Sequence, residues 1–171
     1  MLADYSNWAI GEPAPTTSIR GILDFILEVR TLDHVVHSGS YGGPVPEAVT
    51  VLSRLIATLH DEQGNVAIDG LHSEAPFELE ASEANIREFA SLRPGVRLIG
   101  SESMVDRLRA RPAVAVLGID APSTAEAANK LVPVARTKIS VSLTPGDGVV
   151  KARMAIEDHF QVRPVSPGAR R

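Results

Sequence analysis

The stretch "VPVARTKISVSLTP", residues 132–145, sets Ala135, Ile139, Val141 and Leu143 against Arg136, Lys138, Ser140 and Ser142. A period of two sends successive side chains to opposite faces of a strand, so one face is apolar and the other polar. That suits a sheet covered on one side only, the usual antiparallel case. "TSIRGILDFILEVR", 17–30, repeats the pattern. Leu23, Phe25, Leu27 and Val29 share one face, and Ile22, Asp24, Ile26, Glu28 and Arg30 the other. Gly21 inside this run predicts a bulge or a close backbone approach. "PAVAVLGID", 112–120, predicts a third strand.

Two segments change period. "PEAVTVLSRLIATLHDEQG", 46–64, has Ala48, Leu52, Leu55, Ile56 and Leu59 at helical spacing, with Pro46 and Glu47 suited to the first turn and Gly64 as the stop. "GDGVVKARMAIEDHF", 146–160, lines up Val149, Ala152, Ile156 and Phe160, and "QVRPVS" after it is a candidate fourth strand. Pro76 and Pro94 break the helical runs between 69 and 111, whose apolar content is too low for a second core. That segment reads as an irregular insertion, with one short helix in "SESMVDRLRARP". The order β-α-insertion-β-β-α-β predicts an α+β fold. It is a ferredoxin-like two-layer sandwich, a four-stranded antiparallel sheet with two helices on one face. The folded unit is expected over 16–165, after a Gly/Pro-rich approach at 1–15 and before a frayed tail at 166–171.

Composition excludes several classes of function. A net charge of −4 gives no electrostatic reason to bind nucleic acid or an anionic membrane, and 4% aromatic residues supply no stacking platform. Without cysteine there is neither disulfide nor thiolate metal site. No apolar run approaches the ~20 residues of a membrane span, so the expected location is the cytoplasm.

The five histidines are His34, His37, His60, His72 and His159, and none pairs at metal-binding helical spacing. His60 and His159 are expected at helix ends, where a cation favours the dipole, and His72 is expected in solvent. Only His37 opens a glycine-rich turn, "HSGSYGGPVPEA" with Gly39, Gly42 and Gly43. Ser38 beside it is a poor nucleophile candidate, because adjacent residues rarely form a triad and no G-x-S-x-G elbow exists. The loop also lacks the lysine of a phosphate-binding loop. On residue chemistry alone it is a strand-to-helix turn.

"SNWAIGEPAPTTSIRGI", "LEVRTLDHVVHSGSYGGPVPEAVTVLSRLIATLHDEQGNV" and "NKLVPVARTKISVSLTPGD" resemble the dimerisation (lid) domain of the carnosinase-like dinuclear-zinc metallopeptidases. That family includes acetylornithine deacetylase and succinyl-diaminopimelate desuccinylase, and the likeness is strongest to carnosinase-type dipeptidases. The resemblance implies that residues 1–15 link to a catalytic domain and that the lid forms a homodimer. His37 would then reach the partner's active site. There it would bind a dipeptide or acyl-amino acid and stabilise the oxyanion formed when zinc-activated water attacks the amide. Asp4 resembles one metal-ligand aspartate. The remaining ligands and the general base have no counterpart here, so zinc is implied for the parent enzyme and none for this chain alone. Lys130 stands where the family has a substrate-contacting threonine, and Ser142 where it has a carboxylate-binding arginine. The alternative reading is a stand-alone ferredoxin-like dimeric module that binds a small ligand, derived from such a peptidase. A third is an enzyme in its own right, using Asp4 and His37 at a metal.

Overall fold

The computed structural model describes residues 19–76 and 81–162. In chain order the elements are β1 (Gly21–Arg30), β2 (Val36–His37), α1 (Ser38–Tyr41), α2 (Ala48–Ala57), α3 (Glu83–Phe89), α4 (Met104–Arg109), β3 (Ala113–Asp120), β4 (Lys130–Leu131), β5 (Val134–Leu143) and α5 (Val149–Val162). β5 lies between the two other long strands. It pairs antiparallel with β1 from Gly21↔Leu143 to Arg30↔Val134, and with β3 from Ala113↔Ser142 to Asp120↔Arg136. The alternation read from the sequence holds. Ala135, Ile139, Val141 and Leu143 are all at most 1% exposed.

The helices α2 and α5 cover that face. Ile139, Val141 and Leu143 pack with Leu59, Ile68, Ala152 and Ile156, while Val29 and Ala135 pack with Ala48, Val51, Leu52 and Leu55. Leu27 and Phe160 touch both groups and join them into one core. Burial of a leucine such as Leu52 contributes roughly 1.5–3 kcal/mol.

Five expectations need correction. The main sheet has three strands among the described residues, not four. No helix breaker stands before Pro164, so α5 takes up Gln161 and Val162 of the expected fourth strand, and residues 163–166 lie outside the described residues. The strand expected over 132–145 starts only at Val134, after Pro133, whose missing N–H cannot join a ladder, and a separate short strand not expected from the sequence, Lys130–Leu131, precedes it and pairs with β2. Gly21 keeps regular register with Leu143, and the sheet's irregularity falls in β3 between Val116 and Gly118. Finally, α2 stops at Ala57 rather than near Gly64. The Asp61 carboxylate accepts the backbone N–H groups of Gln63 and Asn65 and the Asn65 side-chain amide, which draws the chain into a turn. Residues 69–111 hold α3 as well as the expected short helix α4.

The uncovered face of the sheet carries a charge ladder. Asp24 meets Lys138 at 3.1 Å, and Glu28 bridges Arg30 (2.5 Å) and Arg136 across the strands. Hydrogen bonds from Ser140 and then Lys138 hold the Asp24 carboxyl below its ordinary value, and Arg136 followed by Arg30 does the same for Glu28. Carboxyls lowered in the folded state stabilise it fully above their unfolded values, and that stability is lost as pH falls through the lowered ones. Thermal unfolding is therefore expected to shift to lower temperature below about pH 4, with a flatter acid limb in Glu28→Gln. Identical acid limbs would remove the ladder from the account. In the core, Leu52→Ala should cost about 2–5 kcal/mol in urea unfolding, whereas Ile22→Ser on the open face should cost far less.

Candidate functional site: a glycine-flanked histidine on a two-stranded ribbon

β1 ends at Arg30, and the chain crosses a short bend to reach β2. There Val36 pairs with Leu131 and His37 with Lys130. The Ser38 N–H donates to the Asn129 carbonyl at 3.0 Å, Thr31 N–H to Pro133 O at 2.9 Å, and Ala48 N–H to Val132 O at 3.2 Å. Three backbone bonds therefore tie residues 129–133 to the end of β1, to the histidine loop and to the start of α2. Glu47 caps that helix, accepting from Thr50 N–H and Thr50 Oγ1 at 2.9 Å each.

The His37 ring turns back on its own loop. Its Nδ1 accepts the Gly39 N–H at 3.1 Å and so caps α1. Accepting that bond needs the Nδ1 lone pair, so the neutral ring carries its proton on Nε2, and the residue itself is exposed. The loop thus presents an N–H donor in a fixed direction. Ser38 Oγ does not take part in this bond.

Each of the three glycines has its own reason. A Cβ at position 39 would lie 2.8 Å from His37 Cε1 and 3.1 Å from Nδ1, inside the ring's own space. A Cβ at position 42 would lie 2.5 Å from the Ser38 carbonyl oxygen. Gly43 has open space around it but a φ of +105°, which side-chain-bearing residues rarely adopt.

The other residues singled out in the sequence fall in different places. Lys130 is brought directly opposite His37. Ser142 is not, since it pairs with Ile22 and Ala113 at the far end of β5, roughly 25 Å along the strand from Val134. One chain cannot bring Ser142 and His37 to the same small molecule. Asp4 lies outside the described residues. Among the described residues no three of His, Cys, Asp or Glu come together to hold a metal ion, so they do not fit the family's metal. A groove of about 660 Å³ between β1 and α5, and a cavity of about 430 Å³ beneath the insertion, both exclude His37 and Lys130.

Two histidines do more than their positions imply. His159 stands in the last turn of α5, as expected, but it is 7% exposed, its Nε2 lies 2.9 Å from Thr58 Oγ1, and it meets Phe160 edge-on. It joins the end of α5 to the end of α2. His72 is half-buried. Its backbone N–H donates to the Asp147 carboxylate at 3.1 Å, and its backbone carbonyl accepts from Thr144 Oγ1 at 2.9 Å, which pins the insertion to the β5–α5 turn. These links join residues 72–101 positions apart, and no local pattern signals them.

A family model described as the peptidase dimerisation domain matches residues 17–166. The chain belongs to the M20 peptidase dimerisation domain family. Over 166 residues, 95% of the chain, it is 30% identical to a cysteinylglycine-S-conjugate dipeptidase of Corynebacterium striatum, covering 36% of that protein. Over 56% of the chain it is 27% identical to the human β-Ala-His dipeptidase, covering 18% of it. The chain thus spans about a third or less of the curated relatives it matches. Among solved structures, human carnosine dipeptidase 1 superposes with a TM-score of 0.67 at 21% identity, over 84% of this chain and 33% of that one. An M20 family metallo-carboxypeptidase from Sulfolobus solfataricus gives 0.68 at 19%, over 84% and 40%. Dimerisation domains of this family therefore share the layered architecture seen here.

In this dimerisation domain the aim of His37 depends on glycine at position 39. Gly39→Ala is expected to push the ring off the Gly39 N–H. Nitrogen-resolved spectra of the imidazole should then lose the single Nε2–H tautomer and show a mixture. An unchanged tautomer would contradict the role given to Gly39.

Proposed function

We propose that this chain is the lid and dimerisation domain of a zinc-dependent dipeptidase or amidohydrolase, and that it contributes His37 in trans to the partner subunit's substrate. The carrying observation is the direction of the ring: Nδ1 accepts the Gly39 N–H inside the loop, which leaves the Nε2 donor of this exposed residue for a group outside it. A donor built this way suits a negative charge that develops on a group outside the chain. On a dipeptide or acyl-amino acid, that group is the carbonyl oxygen of the scissile amide as it becomes an oxyanion.

The metal and the base that activate water belong to the catalytic domain in this reading, and zinc would supply the Lewis acid there. The residues of this chain bind and orient. The ribbon fixes the loop, Gly39 admits the ring, and Nε2–H donates. Ser142 lies too far from His37 to serve the same substrate, which supports an arrangement where a dimer presents different parts of two lids to one site. A homodimer, a catalytic domain in cis and a cytoplasmic setting belong to the same proposal.

Two measurements test it. The native polypeptide carrying this sequence should be about three times the 18.2 kDa of the chain, as the 36% share of the Corynebacterium relative suggests. In that polypeptide, His37→Ala should lower kcat by about 10²–10³ with dimer mass and folding unchanged. Normal turnover in the variant would end the catalytic role of His37.

A further inference from the structure

The cavity of about 430 Å³ lies between the insertion, the start of β3 and the turn that follows α2, and its volume is in the roughly 300–1,000 Å³ range of small-molecule sites. Its floor is apolar. Ile68 belongs to the core, and Val66, Leu71 and Val114 pack against the same core group.

The wall is built by close approach rather than left open by loose packing. The Gly100 N–H donates to the Gln63 carbonyl at 2.7 Å, and the Ser101 N–H donates to Asn65 Oδ1 at 3.0 Å. A Cβ at position 64 would lie 2.6 Å from Ile99 Cβ, and one at position 100 would lie 2.7 Å from Arg107 Cδ. Side chains at these two glycines would push the turn, the insertion and α4 apart.

Two guanidinium groups line the cavity, and backbone carbonyls hold each of them in place. Arg107 donates from Nε to the Glu102 carbonyl and from Nη1 to the Ile99 carbonyl, both at 2.8 Å. Arg111 donates from Nη1 to the Glu74 carbonyl at 2.8 Å, and its Nη2 lies 3.4 Å from the Glu102 carboxylate. A carbonyl orients a guanidinium without neutralising it. Arg107, Arg111 and Glu102 together leave one positive charge in excess at this cavity, on a chain whose net charge is −4. Exposed arginines such as Arg54 and Arg93 are different, since they line neither this cavity nor the β1–α5 groove.

We propose that this cavity binds a small monocarboxylic acid with an apolar body. The carboxylate meets Arg107 and Arg111, and the body lies on Ile68, Leu71 and Val114. The planar fork of a guanidinium matches the geometry of a carboxylate. One negative charge also matches the excess, whereas a phosphate ester, at about −1.5 to −2, goes beyond it. The site excludes His37, so it does not rest on the function proposed above.

Phenylacetate and phenylacetamide share a body and differ in charge, so the chain is titrated with each and followed through the methyl NMR signals of Ile68 and Val114. Phenylacetate should shift both saturably, and phenylacetamide should bind at least about tenfold more weakly, the size of one lost charge-assisted hydrogen bond. Arg107→Gln should weaken phenylacetate binding to the same degree. Glu102→Gln should strengthen it several-fold, because it removes the competing carboxylate and keeps the backbone carbonyl that holds Arg107. A gain of binding cannot come from a damaged fold, so this second variant remains decisive if Arg107→Gln loosens the insertion. Val51 and Leu52, in the other core group, should keep their methyl signals in place. Absence of a saturable shift, equal affinity for acid and amide, unchanged or weaker binding in Glu102→Gln, or tighter binding of phenyl phosphate would each overturn the proposal. So would shifts at Leu52 as large as those at Ile68.

Discussion

The pairing of β5 along both of its edges is the constraint on which the molecule depends. Residues 134–143 form a ladder with β1 on one side and β3 on the other, and their inward side chains are the floor of the core. Even the polar intruder is accommodated: Thr137 is 1% exposed, and its hydroxyl donates to the Gly118 carbonyl at 2.9 Å, just past the irregularity in β3. A slip of one residue would turn Ile139, Val141 and Leu143 into solvent and draw Lys138 and Ser140 inward. The helices α2 and α5 follow from this register, since each needs an apolar floor for its own stripe.

The long elements were legible because their signals are local. The strands β1 and β5 and the helix α5 announce themselves through period two or period 3.6 in their own residues. Boundaries were less so. Pro133 should end a strand on chemical grounds, and the alternation beyond it masked that stop. The end of α2 was decided by Asp61, whose carboxylate captures two backbone N–H groups and an amide, and nothing in the apolar spacing reports such capture. The structural jobs of His72 and His159 depend on residues far away in sequence, so their environment could not be read from neighbours.

The candidate site divides in the same way. His37 and its glycines stand together in twelve residues, and their association was visible at once. The reason for Gly39 was not visible, because it concerns where an imidazole ring lies. The pairing of His37 with Lys130 joins residues 93 positions apart through a ribbon of only two residues per strand. Ser142, grouped with Lys130 by resemblance, proves to be at the opposite end of β5. Resemblance orders residues by role, whereas topology decides which of them meet.

The ring contact at position 39 bears on how related chains should be read. Histidine alone at the loop is an ambiguous mark, because the side chain has several rotamers and only one is aimed. With alanine two places later, the same histidine would be retained in an alignment yet point elsewhere. The informative unit is therefore His-x-Gly taken together. A lid that keeps the first letter and loses the last has been disarmed without losing its most recognisable residue.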